Sequence, residues 1–177
     1  MYKSRQQRIR SSMRRWPARK QASLRRNSRP AGLSVLRETE LSIPIDGVPG
    51  AEESILSTVT EQGTSVRALC SVNDRDQTVM LLVAEDAPLA KQALEEAGFD
   101  CTSNPVVVVG LENRIGVIDR LGVHLQDAGI DVLRSYASYA NPQEVCAVFK
   151  TQDDERAIKV LQKGCGAAME SSLQYAV

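Results

Sequence analysis

The stretch that decides the fold runs Val106-Val107-Val108-Val109-Gly110-Leu111-Glu112-Asn113-Arg114-Ile115-Gly116-Val117-Ile118. Val106 to Leu111 is a continuous apolar run too short for a helix, so it reads as a strand buried on both faces and central in its sheet. Beyond it the apolar residues Ile115, Ile118, Leu121 and Leu125 recur at helical spacing, and Gly129 closes that helix as its C′ residue.

Further along, residues 131–139 and 144–150 read as two strands joined by a turn at Asn141-Pro142. The first is the more polar and suits a sheet edge. Thr151-Gln152-Asp153-Asp154 has capping-box spacing with Asp in place of Glu, and Ala157, Ile158 and Leu161 form the stripe of a helix expected to stop at Gly164. A last strand is expected within residues 168–176.

The same order precedes the central stretch, and sliding the sequence against itself shows why. At an offset of 66, Gly50 meets Gly116, Gly63 meets Gly129 and Gly98 meets Gly164, while Ile43, Ile55, Val59 and Val66 meet Val109, Leu121, Leu125 and Val132. Val79 and Val83 meet Val145 and Phe149 at that offset. The first unit therefore reads as strand 41–45, a helix from Ala51, strands 65–72 and 78–84, a helix opened by Asp86 and Pro88 and ended before Gly98, and a strand near 99–102.

Strand, helix, strand, strand, helix, strand is the βαββαβ ferredoxin-like plait, an α+β fold with an antiparallel sheet and its helices on one face. The expectation is two such plaits in tandem, residues 33–104 and 105–177, behind a basic leader at 1–32, with sheets that merge or stack and edge strands exposed for association.

The central stretch, with Leu125-Gln126-Asp127-Ala128-Gly129-Ile130-Asp131 after it, resembles the ACT domain over residues 39–165 at least. In that family a strand enters an Asp-Arg-Pro-Gly-like turn, a helix follows, and an Ala-Gly-Ile-Asn-like phrase starts the second strand. Tandem members carry a Tyr-Ala pair there, which Tyr136-Ala137 resembles. Asn113 and Ile115 replace the acid and proline of the turn, and the first unit keeps Pro49-Gly50 but has Gly47 at the acid position.

A glycine at a strand-to-helix turn lets the backbone approach a ligand, and a helix start offers unpaired N–H groups with partial positive charge, which suits a carboxylate. The resemblance implies that a small amino acid binds at such turns. The candidate ligand residues are Asn113, Arg114, Gly116 and Val117, with Gly47, Val48, Pro49 and Gly50 in the first unit. Asn113 can meet the ligand amine and Arg114 its carboxylate. Equally, both glycines can serve only tight turns and helix packing.

Composition narrows the remaining classes. Residues 1–30 hold eleven of the 22 basic residues and no acid, leaving eleven bases against all 22 acids and a net charge of −11 for the rest. Such a body repels phosphate backbones, so nucleic-acid binding would have to come from the leader. Rich in Arg, Ser and Gln, that leader reads as a solvated disordered tail, with a transit peptide, a nucleic-acid arm and a tether to an acidic partner as alternatives. No apolar run is long enough to span a bilayer. Cys70, Cys101, Cys146 and Cys165 are too widely spaced for a zinc site, and read as small buried residues in a reducing, cytoplasmic setting. His124 flanks an apolar helical face as a packing residue, and Asp74 and Asp76 serve a hairpin turn rather than a metal.

The residues offer no paired carboxylates, nucleophile–base pair or phosphate loop, so no catalytic residue, metal or cofactor is assigned. The expected function is a non-catalytic regulator that binds an amino acid or similar metabolite and modulates a partner enzyme or its own assembly, as a homodimer or larger. The alternative is a nucleic-acid-associated protein that uses its basic arm, with the plaits as dimerisation module.

Overall fold

The computed structural model describes residues 34–45, 49–74 and 77–172. Residues 1–33, 46–48, 75–76 and 173–177, which include the leader, Gly47, Val48 and Asp76, lie outside that set. The elements are β1 (Ser34–Pro44), α1 (Ala51–Glu61), β2 (Val66–Asp74), β3 (Gln77–Ala84), α2 (Ala87–Glu96), β4 (Thr102–Glu112), α3 (Val117–Asp127), β5 (Val132–Asn141), β6 (Glu144–Thr151) and α4 (Asp154–Ser172). The fold is α+β, and the described residues form four helices on a single six-stranded antiparallel sheet in the order β2-β3-β1-β4-β6-β5.

Central position of the Val106 run holds: Val106 to Val109 are fully buried in β4, and the polar strand β5 is an edge. Three expectations are corrected. The strand expected near 99–102 and the next one are a single strand, Thr102–Glu112. β1 starts at Ser34 rather than Leu41, and its added residues, Ser34 to Thr39, pair with Gly110 to Pro105, while Glu40 to Pro44 pair with Val83 to Val79. Finally, residues 168–172 continue helix α4 instead of forming a strand.

The internal repeat is visible in the geometry, with one refinement. The 66-residue offset carries α1 onto α3 and the β-bulge between Val66 and Ala68 onto the one between Val132 and Arg134. Beyond the hairpin it grows to 67: β3 maps onto β6, and Asp86, whose carboxylate accepts the Leu89 N–H, maps onto Asp153, which accepts the Arg156 N–H. One extra residue in a strand flips every side chain to the other face. Hence Met80 and Leu82 correspond to Ala147 and Phe149, all on the helix side, and the Val79–Val145 and Val83–Phe149 equivalences fail. Gly164 is likewise no counterpart of Gly98: it lies inside α4, where a Cβ would come within 2.7 Å of the His124 ring. His124 is a packing residue there.

Two apolar clusters hold the helices. Leu41, Ile43, Met80 and Leu82 pack on Ile55, Val59 and Leu94, while Val35, Val107, Val109 and Phe149 pack on Leu121, Leu125 and Leu161. Val35, Leu41 and Ile43 are all odd-numbered residues of one strand, so both clusters, and all four helices, share one face. The opposite face has its own smaller cluster of Ala68, Val83, Val106, Val108, Cys146 and Val148, against which Tyr136 packs. No helix covers it. It is buried because the two ends of the sheet curl together: the Leu69 N–H donates to Ser138 Oγ at 3.2 Å, and the Ser138 hydroxyl lies 3.4 Å from the Leu69 carbonyl. Among the described residues no helix is long and apolar enough to cross a membrane.

Candidate functional site

Each nominated turn is built by a strand that runs out at the sheet's end and a glycine that starts the next helix. Gly50 (φ 79, ψ 11) caps α1 and Gly116 (φ 73, ψ 9) caps α3, both left-handed and neither aided by a side chain. Their carbonyls accept the first helical bonds, from Ser54 at 3.0 Å and Arg120 at 3.1 Å. L side chains rarely adopt this backbone, so glycine is required by conformation. Crowding is not the reason at Gly116, where an added Cβ would meet nothing within 4 Å and the approach to the backbone is open.

The second turn is tied down more than its sequence suggests. The Asn113 N–H donates to the Gln143 carbonyl at 2.7 Å and its side-chain amide to the Pro142 carbonyl at 3.1 Å, so Asn113 staples the turn to the β5–β6 hairpin. Arg114 forks onto Glu112, with Nε at 2.9 Å, and both side chains are about half exposed. The Val117 N–H is taken by the Arg114 carbonyl at 3.1 Å, and the Arg120 guanidinium reaches the Ile115 carbonyl. Ile115, expected in the helical stripe, is fully exposed ahead of α3.

Charge separates the turns. Gly116 is flanked by Arg114 and Arg120, with Asp119 the one acid in the first helical turn. α1 carries Glu52 and Glu53 in its first turn, with Glu52 held by the Ser71 hydroxyl at 2.6 Å. Acids there already match the positive end of the helix and repel an anionic ligand. Pro49 is exposed beside Gly50, and Gly47 and Val48 lie outside the described residues.

The structure does not bring the two turns together. They follow the C-terminal ends of β1 and β4, which are antiparallel over nine residue pairs, Ser34–Gly110 to Ser42–Thr102, so the turns lie at opposite ends of the central strand pair.

The sequence reading missed a polar cluster on the helix-free face. Glu40, fully buried, is ion-paired with Arg134 and accepts the Tyr136 hydroxyl at 2.9 Å, and Glu38 beside it pairs with Arg67. Burial, then the charge of Glu40, pushes the Tyr136 phenol far above its usual value, so it stays a neutral donor. The signal was the alternation Leu36-Glu38-Glu40-Ser42 against Val35-Arg37-Thr39-Leu41. Of the cysteines, Cys101 and Cys146 are buried as expected, whereas Cys70 is partly exposed. Among the described residues no cluster of three or more His, Cys, Asp or Glu could hold a metal.

No model of a known protein family matches the sequence, and no curated protein matches it. Solved structures do match. Protein BT0572 from Bacteroides thetaiotaomicron superposes with a TM-score of 0.64 at 20% identity, over 73% of this chain and 89% of that one. The ligand-free regulatory subunit of aspartate kinase from Thermus thermophilus gives 0.57 at 14% identity, over 75% and 96%. The aspartokinase alpha and beta subunits give 0.54 at 17%, over 76% and 97%. These likenesses establish a shared fold.

Proposed function

We propose that the chain is a non-catalytic regulatory protein of two interlocked ACT-like units. Read this way, β1 and β4 serve both: β4-β1-β3-β2 is the strand order of one plait and β1-β4-β6-β5 that of the other, the N-terminal half of β1 standing where the second unit's last strand was expected. The protein binds a small amino acid or related metabolite at the strand-to-helix turns and thereby modulates a partner enzyme or its own assembly in the cytoplasm.

One observation carries the reading: the same left-handed glycine cap recurs at both turns, and at Gly116 it has open space with Arg114 and Arg120 at its sides. A carboxylate there meets the positive end of α3 with Arg120 beside it, and competes with Glu112 for Arg114. The Gly116 turn is therefore the live one, and the Gly50 turn, with Glu52 and Glu53, the weaker or silent one. Likeness in fold to the regulatory subunit of aspartate kinase supports the same reading.

The test is thermal unfolding of the full chain against the twenty amino acids. A ligand at 100 times its Kd stabilises by about 2.7 kcal/mol, a rise of several degrees in Tm for a domain of this size. If no amino acid shifts the midpoint, the turns are structural and the reading fails.

A further inference from the structure

We propose that the helix-free face of the sheet is a closed cleft whose seam, between the edge strands β2 and β5, opens and shuts on a charge clasp centred on β1. β2 pairs as a strand with β3 and β5 with β6, and where the two edges meet the Ser138 hydroxyl bridges both polar groups of Leu69. A bridge of that kind is far weaker than a strand ladder. Over the apolar cluster beneath, the edges are held by polar contacts to β1: Arg67 reaches from β2 to Glu38, while Arg134 and Tyr136 reach from β5 to Glu40. One strand thus holds both edges.

Three features make this seam the place where the molecule gives. The helix-side clusters of the two halves are separate, so parting β2 from β5 leaves both intact. The cluster beneath the seam has six buried side chains, none larger than valine, whereas the two helix-side clusters hold Leu, Ile, Met and Phe. The clasp is also imperfect: Arg134 Nε is buried without a partner, a cost that opening to water relieves.

Cys146 lies under the seam and Cys101 lies in the helix-side cluster of the first half, both buried. Burial raises both thiols, that of Cys101 to about 11, so each is nearly inert while covered. The experiment is site-resolved labelling of the full chain with N-ethylmaleimide, read by mass spectrometry. Arg134→Met and Glu40→Gln should speed labelling of Cys146 by about tenfold or more beyond any rise at Cys101, the factor for each 1.4 kcal/mol, because Cys101 follows only the global loss of stability. Should either variant fold poorly, Leu69→Cys with Ser138→Cys answers instead: oxidised to a disulfide across the seam, it should slow Cys146 about tenfold relative to its reduced form. Cys146 indifferent to clasp and crosslink alike, or rising only in step with Cys101, would overturn the proposal.

Discussion

The two halves share a backbone and differ in charge. Gly50 and Gly116 adopt nearly the same left-handed cap, yet one helix begins with Glu52-Glu53 and the other has Arg114 and Arg120 at its start. The helix-free face shows the same split: Glu40, Arg134 and Tyr136 form a polar cluster whose counterparts under the 66-residue offset, Val106, Ala68 and Cys70, carry no charged side chain. A repeated fold sets where a turn lies, and the side chains laid on it decide whether that turn can attract a ligand.

The largest expected effect comes from the buried charge. Arg134→Met leaves Glu40 uncompensated inside the protein and should lower stability by about 3–5 kcal/mol in denaturant titration. Arg67→Met, whose partner Glu38 is not fully buried, should cost about 1 kcal/mol or less. Equal losses would mean the asymmetry of that face is only apparent.

Two helical glycines of the second half should respond in opposite directions. Gly164→Ala drives a Cβ to 2.7 Å from the His124 ring and should destabilise by about 1–3 kcal/mol. Gly122→Ala meets nothing within 4 Å in the interior of α3 and should stabilise by about 0.4–1 kcal/mol. The same sign for both in thermal unfolding would contradict the α3–α4 packing described here.

The smallest effect is a pH dependence confined to the second half. Burial works to raise the Asp154 carboxyl, but hydrogen bonds from Lys150 and Thr151 outweigh it and hold the pKa below the usual carboxylate value. A depressed carboxylate contributes stability above its unfolded pKa of about 4 and loses it as pH falls through the lower folded value. Asp154→Asn should therefore cost about 1 kcal/mol at pH 7 and progressively less in acid. Ala87 occupies the matching place in the first half under the 67-residue offset, so Ala87 variants should show no such trend.

How much of this was legible follows from what each segment buries. The Val106 run, the Asp86-Pro88 cap and the glycines at 50, 63, 116 and 129 carry local signals that tertiary context did not override. The first half of β1 was hidden because the charges of Glu38 and Glu40 break its apolar pattern, and distant Arg67 and Arg134 make their burial tolerable. No strand forms at residues 168–172, which continue α4, whereas the N-terminal half of β1 pairs beside β4. The glycine turns were found from the sequence, but the hold of Glu112 on Arg114 and of the hairpin on Asn113 depends on contacts no spacing reveals.

The central claim is that the Gly116 turn is where a ligand binds, and calorimetric titration tests it most directly. The amino acid that best stabilises the full chain is titrated into Gly116→Val and into Gly50→Val. Both variants strain the same left-handed cap, so each controls for the other's structural damage. The expected result is that binding is lost in Gly116→Val and kept in Gly50→Val. Binding that survives Gly116→Val, or that Gly50→Val alone abolishes, would contradict the account.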